Sequence, residues 1–262
     1  MPVRLLALVF VVIAAGCNGR AESPATVLTP KAATALAAQV AQAQGRAEHL
    51  RAVLTFRVKP KAGDSLIFSV DAWLSADGRS RLDARKAGVP FLSALLAADG
   101  TLTLRNDRSG AWAQGRLAEL PAEAPAFLRD APLLRSELLV GSLDPDRPVS
   151  PGPDAATLHQ DTAAGPAILA IDAGNRVVAE KRLLARDGAE RIRLTYGRHQ
   201  DIDRLRRPTA ITLVIAGDDT AYAVRFAEWT RLPGIDEERF ALVPPPGRKL
   251  LTWAEFLGEL GK

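Results

Sequence analysis

The chain has 262 residues and one cysteine, Cys17, which stands directly after Ala14, Ala15 and Gly16. A thiol is a strong nucleophile once ionised, and a lone one excludes an intramolecular disulfide. Its chemistry is therefore with a group outside the polypeptide. The other chemistry-bearing side chains are dispersed. His49, His159 and His199 are the three histidines, and their separations match no metal-ligand spacing. No nucleophile elbow, phosphate loop or dinucleotide fingerprint occurs. Asp201 and Asp203 lie beside His199, but 197–207 reads as a charged hairpin loop. The cluster Arg204, Leu205, Arg206, Arg207 either leans on anionic headgroups or, more simply, is a solvated loop. It lacks the interleaved aromatics of a nucleic-acid surface. The expectation is a binding protein, not an enzyme, with no metal, no cofactor and no nucleic-acid partner.

The residues before Cys17 give its thiol a context. Arg4 is followed by an unbroken apolar run over 5–15, the charge-then-apolar order of an export signal. The run falls short of the roughly 20 residues that a membrane-spanning helix requires. The join Ala14-Ala15-Gly16-Cys17 resembles the lipobox of bacterial lipoproteins. That resemblance implies removal of residues 1–16, diacylation of the Cys17 thiol and acylation of the new amino terminus. Each buried methylene contributes about 0.8 kcal/mol, so two or three chains anchor a protein almost irreversibly. The alternative is a plain secretory signal with an incidental cysteine. Asn18 stands where such lipoproteins carry an aspartate if they stay in the inner membrane. For a Gram-negative source this implies the outer membrane, facing the periplasm.

Stepping along the chain, residues 17–30 are small and polar and read as a tether. Pro30 opens a helix over 31–50, with Leu36, Val40, Ala43 and Ala47 at helical spacing. A period of two follows. Leu54, Phe56 and Val58 alternate with polar residues over 52–58; Leu66, Phe68, Val70, Ala72 and Leu74 do so over 65–74; Leu82 and Ala84 do so over 81–85. That is the pattern of antiparallel strands with one apolar face. Asp77-Gly78 and Asp99-Gly100 are hairpin turns between them. Leu102 and Leu104 continue the strands as far as Trp112. Residues 117–143 read as two short helices around Pro125 and Pro132, and the proline-rich 145–153 as an exposed loop. Strand patterns resume near 155–160, 167–172, 176–185, 190–196, 210–216 and 221–229. Phe240–Val243 and a helix near 253–260 close the chain. With 47% hydrophobic and 24% charged residues and a net charge of +4, residues 31–262 are expected to be one domain. The fold class is α+β, with about ten strands in a large antiparallel sheet.

This order of elements resembles the superfamily of periplasmic lipoprotein carriers and receptors, LolA and LolB, with their relatives LppX and RseB. The resemblance is carried over 32–143, where Ser80–Lys86, then Gly88-Val89-Pro90-Phe91-Leu92, then 94–100 match the strand, apolar loop and strand before the helical insertion. Arg207-Pro208 through Leu213, with Phe240-Ala241-Leu242-Val243-Pro244, is similar to the closing strands. The resemblance implies a sheet curled into an incomplete half-barrel with lid helices on a concave, acyl-chain-binding face. Leu54, Phe56, Leu66, Phe68, Val70, Leu82, Ile192, Leu194, Ile211 and Leu213 are the candidate lining, and for each the alternative is ordinary core. Val89, Phe91 and Leu92 are either a membrane-touching tip or a plug beneath the helices. The first functional expectation is thus a LolB-like, membrane-anchored receptor for lipid or lipoprotein acyl chains, with an apolar cavity of several hundred Å³, on the scale of ligand sites. The second is an accessory envelope lipoprotein that docks a protein partner and has a filled core.

Overall fold

The computed structural model describes residues 27–260, except 122, 123, 125, 130 and 140. Cys17, residues 1–16 and most of the tether lie outside the described residues. Helix α1 (Pro30–Gln44) is followed by β1 (His49–Lys59), β2 (Leu66–Ser75), β3 (Ser80–Lys86), β4 (Val89–Leu96), β5 (Thr101–Asn106) and β6 (Trp112–Arg116). Then come α2 (Ala126–Arg129), α3 (Ala131–Leu139), β7 (Val149–Pro151), β8 (Thr157–Thr162), β9 (Gly165–Asp172), β10 (Val177–Leu184) and β11 (Glu190–Tyr196). The chain ends with the hairpin β12 (His199–Ile202) and β13 (Leu205–Pro208), then β14 (Ala210–Ile215), β15 (Ala221–Arg231) and α4 (Trp253–Leu260).

Thirteen strands form one antiparallel sheet in the order β6-β5-β4-β3-β2-β1-β15-β14-β11-β10-β9-β8-β7. Two meanders, β1–β6 and β7–β11, are joined through the β14–β15 pair, in which β14 pairs with β11 and β15 meets β1 at a seam. The edge strands β6 and β7 do not pair with each other, so the sheet curls without closing. Register shifts within β1/β15, β3/β4, β9/β10 and β10/β11 supply bends that curl a sheet. The shift at the seam also sets side-chain direction. Ala52 pairs with Trp229 but Leu54 with Phe226, so an extra residue in β15 returns Trp229 to the inward face. There it lies 4.2 Å from Phe226, ring centre to ring centre.

Both open edges are guarded, as unpaired strand edges invite aggregation. β7 is three residues long and ends in Pro151, a residue confined to edges because it has no N–H to donate. β6 is covered by the carboxy-terminal segment: Leu251 donates its N–H to the Trp112 carbonyl at 2.8 Å, and Phe256 of α4 is fully buried. Thr252 and Glu255 cap α4 reciprocally. The Glu255 carboxylate accepts from the Thr252 N–H at 2.8 Å, and the Thr252 hydroxyl accepts from the Glu255 N–H at 3.3 Å.

Several expectations need correction. The first helix ends at Gln44, not at residue 50, because Gly45 takes a left-handed φ of 57°. His49 therefore opens β1. The proline-rich 145–153 contains β7. The apolar 88–92 is not a loop: Ala87 and Gly88 alone make the turn, both at positive φ, and β4 begins at Val89. Phe240 closes a short 3₁₀ turn instead of opening a strand.

Candidate functional site

Period-two alternation brings the apolar sets of neighbouring strands into rows across the concave face. Leu74, Ser80, Leu96 and Leu102 stand opposite one another on β2 to β5; Ala72, Leu82 and Ala94 form the next row, and Val70, Ala84 and Leu92 the one after. Phe56 pairs with Phe68 at the far end, where Phe68 packs on Phe91 at 5.2 Å between ring centres. From Leu74 to Phe68 the face is about 20 Å long at the rise of a β-strand.

Above these rows lies an apolar cavity of about 180 Å³, partly open to solvent. Its floor is β1 to β5 and its side wall is Ile211, Val224 and Phe226. Leu128 of α2 and Leu138 of α3 roof it. It is smaller than the several hundred Å³ expected from the sequence. The reason is that only half of the concave face is hollow. Over the other half α1 packs against β7, β10 and β13, and its buried Ala33, Ala37 and Val40 share one core with Leu158, Leu169 and Leu183.

The sequence-derived lining divides accordingly. Leu54, Phe56, Phe68, Val70, Leu82 and Ile211 line the cavity. Ile192, Leu194 and Leu213 do not; they are buried in the close-packed half. Leu66 lies past the lining, 40% exposed at the end of β2. Val89, 59% exposed, stands at the hairpin tip, while Phe91 and Leu92 are half-buried and line the cavity. The segment is thus divided, with an exposed apolar tip followed by residues that face the cavity. The register of β2 with β3 carries Leu66 and the 47% exposed Ile67 alongside this tip. Arg57, Lys59, Arg85 and Lys86 are exposed around it.

Two polar residues at the opposite end were missed from sequence. Ser80 is 8% exposed, lines the cavity, and its hydroxyl has no hydrogen-bond partner among the described residues. Arg135 of α3 also lines the cavity and donates to the Gly78 carbonyl in the β2–β3 turn. Burial lowers its pKa, against the pull of Asp77. Ser80 had a legible signal, since it lies two residues before Leu82 on the apolar face of β3. Arg135 had none, because its position depends on how α3 docks.

α3 is fastened by polar contacts beneath it. The buried Glu137 carboxylate accepts from Lys181 of β10 at 2.5 Å and from the Tyr196 hydroxyl of β11 at 2.5 Å. Arg207 is not part of a solvated loop. It is almost fully buried and donates to the carbonyls of Gln44 and Gly45 at the end of α1, and of Leu139 at the end of α3. A cation suits these two helix carboxy-termini. Its burial pulls the pKa down to about 10, which leaves it charged at neutral pH.

No family model and no curated protein sequence matches the chain. Solved structures do match in fold. A protein from Vibrio parahaemolyticus described as an outer membrane lipoprotein-sorting domain superposes with a TM-score of 0.57 at 12% identity, over 81% of this chain and 97% of its own. A DUF1329 family protein from Desulfovibrio piger gives 0.54 at 12% identity, over 82% and 98%. A LolA superfamily protein from Nitrosomonas europaea gives 0.53 at 10% identity, over 80% and 97%. The fold is therefore LolA-like: α+β, with an incomplete barrel.

Proposed function

We propose that this chain is an envelope lipoprotein, anchored through an acylated Cys17 in the outer membrane and facing the periplasm, that holds acyl chains of a lipid or of another lipoprotein. The carrying observation is the unfilled apolar cavity beside a close-packed half of the same sheet. An apolar space of about 180 Å³ forgoes the packing contacts that a filled core makes. Filled by an acyl chain, the same space returns about 0.8 kcal/mol per buried methylene. The fold neighbours described as lipoprotein-sorting and LolA superfamily proteins support the same reading. A permanent anchor fits a fixed receptor better than a soluble shuttle, and nothing in the proposed role requires catalysis. Val89, Leu66 and Ile67, rimmed by cations, would meet the bilayer surface from which chains enter or leave.

The test is mass spectrometry of protein purified from cells. Acyl chains are expected to co-purify stoichiometrically with the wild type and to be lost from Ala84→Phe, whose ring would occupy the cavity. Clean wild-type protein would sink the reading. One observation favours a protein-docking role instead. The convex face carries a cleft lined by Asp71, Asp83 and Arg85, with Trp73 under the guanidinium groups of Arg51 and Arg239 at 5.6 and 5.4 Å. Lipid-free protein that retains a fixed envelope partner, and loses it on Trp73→Ala, would establish that role.

A further inference from the structure

The cavity is apolar along its whole length except at one end, where Ser80 and Arg135 face it. Both have unspent hydrogen-bonding capacity. Among the described residues the buried Ser80 hydroxyl has no hydrogen-bond partner, an arrangement that is costly unless a partner arrives. Arg135 carries five N–H donors in a planar fork, and among the described residues its one hydrogen bond goes to the Gly78 carbonyl.

Among the described residues no carboxylate pairs with this cation. Asp77, the acidic group whose charge it feels, is held by Arg79 at 2.8 Å. Glu137, two residues along α3, is occupied by Lys181 and Tyr196. Among the described residues, a guanidinium with no carboxylate partner and a hydroxyl with no hydrogen bond thus both face the head of a hydrophobic slot.

Building on the lipid-binding reading, we propose that the cavity is built for a single-chain amphiphile with an anionic head, its oxyanion held by Arg135 and Ser80 and its chain laid along the rows toward Phe68 and Phe91. A fork of N–H donors fits a carboxylate or a phosphate monoester, whereas the esters and amides of a lipoprotein's acyl groups offer no such anion. The cavity of about 180 Å³ receives the part of the chain next to the head. The remainder of a longer chain runs out past the hairpin tip.

The test is displacement of the neutral fluorophore N-phenyl-1-naphthylamine from the full chain by decanoate, decyl phosphate and decanol. The anions are expected to bind at least about tenfold more tightly than the alcohol, as a charge-assisted hydrogen bond implies. Their ratio to each other tells carboxylate from phosphate. Arg135→Met should erase the preference and leave decanol unchanged, Arg135→Lys should keep part of it, and Ser80→Ala should reduce it severalfold. Equal binding of decanoate, decyl phosphate and decanol by the wild type overturns the proposal and leaves the lipid-binding reading standing. A wild type that binds neither fluorophore nor any of the three removes both. The wild-type comparison decides even if Arg135→Met does not fold.

Discussion

At the scale of single residues, the strongest determinants are polar groups in apolar places. Arg207 ties the ends of α1 and α3 together through backbone carbonyls alone. Arg207→Met leaves those carbonyls unpaired and is expected to destabilise the protein by about 3 kcal/mol, read as a fall in the urea midpoint. Nothing in the local sequence distinguishes Arg207 from Arg204 or Arg206, because its burial is decided by helices more than sixty and a hundred and sixty positions away. The two phenols supply a pH signature. Burial and Glu137 raise the Tyr196 pKa well above its usual 10; burial and the Asp218 carboxylate push Tyr222 up to about 12. A raised pKa means that the fold prefers the neutral form. For Tyr222 this stabilisation is complete below pH 10 and is lost as pH rises through 12. Thermal melts from pH 8 to 12 should show a decline setting in above 10, and Tyr222→Phe should flatten it.

At the scale of elements, α3 roofs the cavity and bridges the two halves of the sheet. Its attachment through Glu137 is a buried ion pair, of the kind that costs about 3–5 kcal/mol when one partner is removed and little when both are. Glu137→Leu is therefore expected to destabilise strongly, and Glu137→Leu with Lys181→Met to recover most of the loss. A double mutant no more stable than Glu137→Leu would refute this account. The strands of the first half were legible because their inward faces alternate cleanly, as in Leu54, Phe56 and Val58. α1 was overextended because alanines continue past Gly45, and only that glycine's left-handed backbone shows where the helix stops. The strand β7 escaped notice because a three-residue edge strand ending in proline has no periodicity to read.

At the scale of the whole molecule, the same alternating pattern produces two outcomes. Ile192 and Leu213 read no differently from Leu54 and Val70, yet only the second pair borders the cavity. What separates them is the helix above: α1 presents small alanines that let it sit close to the sheet, whereas α2 and α3 stand over the other half and leave space. A bound chain should therefore stabilise one half selectively. Amide exchange is expected to slow on β2 to β5 when decanoate is added, with β8 to β10 unchanged. Uniform slowing would argue against a ligand confined to the hollow half. The strand shift at the seam matters in another respect. Trp229 rests on Phe226, and Phe226 is a wall of the cavity. Of the four tryptophans, Trp229 is thus one ring removed from whatever occupies that space. Its emission offers an internal gauge of occupancy that requires no label.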